Sequence, residues 1–150
     1  MKKLTNVYQI DAFTDEPFRG NAAGVVYTDE LSTEEMQYIA REFNVPETAF
    51  ISKSDEADFN LRWFTPKVEV KLCGHATIAS IHYLKQMGLI QDNSILTFKT
   101  LSGILKCSTE NGIHSLSIPT PDLKIFEGNK EEIINALNGE KAINPEKFPF

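Results

Sequence analysis

Side chains able to do chemistry crowd one short stretch of this sequence. Cys73, Gly74 and His75 set a thiol, a glycine and an imidazole side by side. A β-favouring run ends just before them and a helical run begins with them. The amino end of a helix presents backbone N–H groups with no intrahelical acceptor, together with the positive end of the peptide dipoles. Such an end holds a carboxylate well, and its field is expected to lower the pKa of the Cys73 thiol. Gly74 lets a ligand come close to the backbone. Upstream, Glu47 stands in NVPETAF at the start of an expected strand. A carboxylate turned inward at a strand edge is partly desolvated, and works as both acid and base near neutral pH.

Each of these residues also has a plainer reading. A free cysteine is among the most buried residue types and is usually inert. A histidine at a helix start often only caps it, and Glu47 after Pro46 reads equally as a solvated turn residue. Asp11 and Asn21 fall where Asx-type bonds to the backbone explain them. His82 and His114 read as scaffold. Cys73 and His75 are two metal donors without a visible partner pair, so no metal is expected. The other cysteine, Cys107, lies far from the first with no metal-type spacing; both are expected reduced in the cytosol.

The elements that must position these residues follow from periodicity. Strands are expected over 6–13, 22–27, 48–52, 59–64, 68–72, 95–99, 104–108 and 113–118. Asn111-Gly112 favours a two-residue hairpin between the last pair. Ser32 with Glu35 three residues on forms a capping box. Met36, Ile39, Ala40 and Phe43 then recur at helical spacing as far as Asn44. A second helix should run from Gly74 to about Met87, stopped by Gly88. It is small or apolar on nearly every side, the pattern of a helix enclosed by other structure. The fold class expected is α+β, a mixed or antiparallel sheet curled around a central helix. Pro119 and Pro121 mark a boundary, giving residues 1–118 as a first lobe and 119–150 as a linker and the start of a second. A short helix is expected at 131–137, and the chain is expected to stop just inside that second lobe.

Composition narrows the function classes. The chain has 150 residues, 41 % of them hydrophobic and 24 % charged, values of an ordinary folded domain rather than a disordered one. A net charge of -6 argues against a nucleic-acid binder. Lysines are scattered, so no polybasic membrane patch forms. The amino-terminal MKKLTNVYQID lacks the apolar run of a signal peptide, and no stretch is long enough to span a bilayer. The expected location is the cytoplasm.

Four blocks, taken in order, resemble one family. They are DAFTDEPFRGNAAGVV, NVPETAFI, LRWFTPKVEVKLCGHATIAS and FKTLSGILKC, which together cover most of residues 10–107. This set resembles the phenazine-biosynthesis-like (PhzF-like) isomerases, similar in fold to diaminopimelate epimerase, with two pseudo-symmetric lobes and the site between them. The resemblance implies a catalytic role for Glu47, moving a proton from one carbon to another, with His75 beside it. It implies substrate binding by Gly74 and His75 at the helix start and by Asn21 in a ligand-contacting turn. No cofactor is implied, and the partner is a small carboxylated metabolite. The string CGHA also resembles the first-cysteine motif of diaminopimelate epimerases and proline racemases, which implies an alternative, a thiol-dependent racemase using Cys73. Cys107 does not match the second cysteine such enzymes need. A further alternative is a non-catalytic fragment or a small-acid binding module that self-associates as a homodimer. Lys71 departs from the family pattern, which commonly has an acidic residue there, and this bears on substrate identity.

Overall fold

A computed structural model of the chain describes residues 6–118 together with residues 129, 131 and 132. The strands are β1 (Tyr8–Ala12), β2 (Asn21–Tyr27), β3 (Glu47–Ser52), β4 (Phe59–Phe64), β5 (Glu69–Val70), β6 (Ser94–Thr100), β7 (Gly103–Glu110) and β8 (Ile113–Leu116). The helices are α1 (Thr33–Phe43) and α2 (Gly74–Gln86). One sheet runs β1-β2-β3-β4-β6-β7-β8, with β5 paired to β4 off this path. It is mixed: β2–β3 and β4–β6 are parallel and the other pairs are antiparallel. The expected architecture, α+β with a sheet curled around a central helix, is the one observed. All these elements lie in the compact unit Met1–Ile118.

Strand alternation explains how one sheet serves two helices. Ala23, Val25, Ala49, Ile51, Leu61 and Trp63 point to one face and pack with α2 residues Ala76, Ala79, Ile81 and Leu84. Val26, Phe50 and Phe64 point to the other face and pack with Met36 and Ala40 of α1. The curl continues through Leu96, Phe98, Leu105 and Cys107, which join the α2 side. α2 is therefore buried nearly all round, as its composition requires. Its polar Thr77 and Ser80 are fully buried because each hydroxyl donates to the carbonyl four residues back, Cys73 at 2.6 Å and Ala76 at 2.7 Å.

The punctuation is local chemistry. Glu35 N–H donates to Ser32 Oγ at 3.2 Å, and Ser32 N–H donates to Glu35 Oε2 at 2.9 Å, completing the box that starts α1. A cap of this kind stabilises by about 1 kcal/mol. Asn44 ends α1 in the left-handed region at φ 56°. α2 ends in a Schellman motif: Gly88 at φ 69° donates to the Lys85 carbonyl, and Leu89 donates to Leu84. Asn111 and Gly112, at φ 50° and 81°, form the expected primed turn between β7 and β8.

β5 is shorter than the expected 68–72. Its pairing with β4 amounts to Trp63↔Val70 and Phe64↔Glu69. Val68 before it is tied into a turn by Thr65, and after it the chain swings away to begin α2. In the second unit, Pro119–Phe150, Glu131 and Glu132 are helical; the rest of the helix expected at 131–137 lies outside the described residues.

Candidate active site

Glu47 opens β3, directly opposite Ala23 in the parallel β2–β3 register. Two residues on, Ala49 faces α2, so alternation turns the Glu47 side chain to that same face. α2 begins there. The imidazole of His75, in its first turn, lies with Nε2 3.4 Å from Glu47 Oε2, the two side chains being 10 % and 22 % exposed. The pair is close but not aligned as a hydrogen bond, and His75 Nε2 is a buried nitrogen without a hydrogen-bond partner. On the other side of the ring, Nδ1 lies 3.4 Å from Cys73 Sγ. A thiol, an imidazole and a carboxylate thus form a cluster, with donor atoms all within 4.8 Å of one another. The sequence showed two candidate metal donors at this position, and the fold adds Glu47 as a third.

Cys73 precedes the first residue of α2, with extended backbone and no side-chain capping bond. The expectation that the helix field would lower its pKa is overturned. Burial pushes the thiol up to about 11, and the Glu47 carboxylate adds to the rise. The backbone N–H groups of Ala76 and His75 do pull the other way. They lose because the thiol is 8 % exposed, where loss of water outweighs a partial positive charge. Cys107 is buried on β7, and burial pushes its thiol up to about 12.

Gly74 is the first residue of α2, and a Cβ built there meets nothing within 4 Å. The space over the helix start is open on that side. Asn21 begins β2 at the same end of the sheet, exposed, two residues before Glu47's partner Ala23. Asp11 serves the scaffold: its Oδ2 accepts from Phe18 N–H at 3.1 Å. His82 and His114 pair with each other, ring centroids 5.7 Å apart, away from the Glu47 cluster. Lys71 is exposed, and its carbonyl accepts from Ser102 Oγ at 2.9 Å.

Two features escaped the sequence. One is the contact of Cys73 with Glu47, which depends on sheet register between segments remote in sequence. The other is the turn before β2, where Phe13 and Phe18 adopt φ 64° and 67° and are 72 % and 95 % exposed. Left-handed backbone is unusual for bulky residues and marks a constrained segment. Pro17, Gly20 and Asn21 signalled a turn but gave no sign of that conformation.

No described helix is long and apolar enough to cross a membrane. Residues 10–149 match the family model described as phenazine biosynthesis-like protein. The uncharacterized isomerase YfhB of Bacillus subtilis is 41 % identical over 140 residues, 90 % of this chain and 48 % of its own. The uncharacterized isomerase YddE of Escherichia coli K12 is 45 % identical over 139 residues, 88 % of this chain and 46 % of its own. The chain spans about half the length of these curated relatives. Among solved structures, a Bacillus anthracis phenazine biosynthesis protein of the PhzF family superposes with TM-score 0.76 at 41 % identity, over 89 % of this chain and 47 % of that one. A predicted epimerase from Pseudomonas aeruginosa shares the fold at TM-score 0.62 and 24 % identity, over 72 % of this chain and 40 % of that one. Sheet, central helix and sequence blocks agree with these matches, and the chain belongs to the phenazine biosynthesis-like (PhzF-like) isomerase family.

Proposed function

We propose that this lobe carries half of the active site of a cytoplasmic isomerase that shifts a proton between carbons of a small carboxylated metabolite. The supporting observation is the approach of His75 Nε2 to Glu47 Oε2, 3.4 Å, at the start of a buried helix. Glu47 takes the proton from carbon as a carboxylate and, once protonated, returns it at another carbon. His75 offers Nε2 to the substrate. The first-turn N–H groups of α2 offset the negative charge of a substrate carboxylate or of the enolate-like transition state. Gly74 leaves room for the carboxylate to reach them. Asn21 binds from the neighbouring strand. A carboxylate and an imidazole suffice for this proton shift, so the reading calls on no cofactor. Residues from 119 onward are read as the start of a second lobe.

The thiol-dependent racemase is the weaker reading, because a thiol pushed up to about 11 is protonated at neutral pH and is a poor base. Replacing Glu47 by Gln in the complete enzyme keeps the shape and removes the base. Turnover is expected to fall by at least about a thousandfold, with substrate binding little changed. Solvent deuterium incorporated at the accepting carbon should be lost in parallel. Turnover that survives Glu47→Gln, or that disappears with Cys73→Ala alone, overturns the assignment.

A further inference from the structure

The cluster of donors has a chemistry that proton transfer does not use. Thiolate, imidazole and carboxylate are the ligand set that zinc accepts. We propose that Glu47, Cys73 and His75 form a binding site for zinc-class divalent cations, and that occupancy of it shuts off the isomerase.

The geometry carries this further than donor type alone. Zinc bonds of about 2.0–2.3 Å in a tetrahedral site put neighbouring donor atoms about 3.3–3.8 Å apart. His75 Nε2 and Glu47 Oε2, 3.4 Å apart, fall in that range, while Cys73 Sγ lies 3.4 Å from the other ring nitrogen, Nδ1. All three residues offer donors within 4.8 Å of one another. The imidazole gives one of its two nitrogens to the ion, Nε2 on the Glu47 side, so the Cys73 side chain turns from Nδ1 to complete the set. His75 Nε2 is an independent sign: it is buried without a hydrogen-bond partner, in a side chain 10 % exposed. A buried imidazole nitrogen left unsatisfied is costly, and a metal bond satisfies it. Access lies on the Gly74 side, where a Cβ would meet nothing within 4 Å. On binding, the Cys73 S–H bond breaks heterolytically, sulfur keeps the electron pair and bonds the metal, and the proton leaves to solvent. Thiolate and carboxylate then balance the two positive charges of the ion. Three protein donors leave a fourth position open, for water or a substrate oxygen.

The inhibitory consequence rests on the proposed role of Glu47, since a carboxylate bound to a dication is a much weaker base towards the substrate proton. Binding itself does not depend on that role. The test uses the chain titrated with Co²⁺ alone and then with Zn²⁺. The expected result is one cobalt per chain with an intense thiolate-to-cobalt charge-transfer band, erased by one equivalent of zinc. Cys73→Ser should abolish the band, and His75→Ala and Glu47→Gln should each weaken binding at least tenfold. Cys107→Ser and His114→Ala should leave it unchanged. In the complete enzyme, zinc should inhibit turnover, and a chelator should restore it. Absence of the thiolate band, or a band that follows Cys107, overturns the site. Glu47-dependent turnover insensitive to saturating zinc overturns the inhibition while the isomerase reading stands. Cobalt bound with these ligands in an enzyme that does not depend on Glu47 leaves the metal site standing and removes the isomerase reading.

Discussion

The contest at Cys73 between burial and the helix amino terminus is open to a direct kinetic test. Only the thiolate is alkylated, so the rate follows the ionised fraction. An unperturbed thiol at the ordinary 9.0 is about 9 % ionised at pH 8, and one at about 11 is about 0.1 % ionised, a difference of about a hundredfold. Native Cys73 should therefore react with iodoacetamide about a hundred times more slowly at pH 8 than in the urea-unfolded chain, before any steric protection. Steric protection divides the rate by the same factor at every pH, so the shape of the pH profile carries the information. The log rate should climb by one per pH unit from 7 to 9.5 without levelling. Peptide mapping by mass spectrometry separates Cys73 from Cys107, and a Cys107→Ser chain gives the same answer more simply. A Cys73 profile that levels off below pH 9 would rule out burial as the dominant influence on the thiol. It would show the amides of His75 and Ala76 prevailing over desolvation, and would return the thiolate to candidacy as the base.

Other outcomes can be read from the scaffold. Gly20→Ala places a Cβ 2.5 Å from the Ala12 carbonyl oxygen and 2.6 Å from the Thr14 methyl; backbone must move, and urea denaturation should show a loss of about 1–3 kcal/mol. A thermal midpoint that does not fall would mean the turn relaxes freely. His114 is held below its ordinary 6.5, first by burial and then by the charges of His82 and Lys85, with Asp92 opposing. The unfolded chain then binds the proton more readily, so this stability is fully present above pH 6.5 and drains away as pH falls below it. Melting temperatures between pH 7.5 and 5 should show that slope, and His114→Gln should flatten it.

Much of the fold was legible because its signals are local. Ser32 and Glu35 sit within one helical turn, Asn111 and Gly112 are adjacent, and Gly88 follows directly on its helix. The burial of α2 was legible too, since no face of it offers a polar stripe. The length of β5 was not, because it depends on where Trp63 and Phe64 lie when the chain comes back. The site was half legible. Cys73, Gly74 and His75 are neighbours in sequence, and the resemblance assigned a role to Glu47. The approach of Glu47 to the other two is a product of strand register, which no local pattern encodes. Nor does residue type reveal which of two opposing influences on a thiol is larger; that depends on how completely the sheet shields it.

The enclosure of α2 also dictates an order of assembly. The helix makes contacts on one flank with strands that precede it, as where Tyr8 meets Tyr83, and on the other with Leu96, Phe98 and Leu105, which follow it. During synthesis from the amino terminus, the first half of its wrapping is present when the helix emerges and the second half is not. Its apolar flank stays uncovered until β6 and β7 have left the ribosome. Non-local pairings of this kind are slow to form, and exposed apolar surface in the meantime invites association with other chains. A chain halted with only its first 90 to 95 residues outside the ribosome would display α2 at its most adhesive, half wrapped by the strands that precede it.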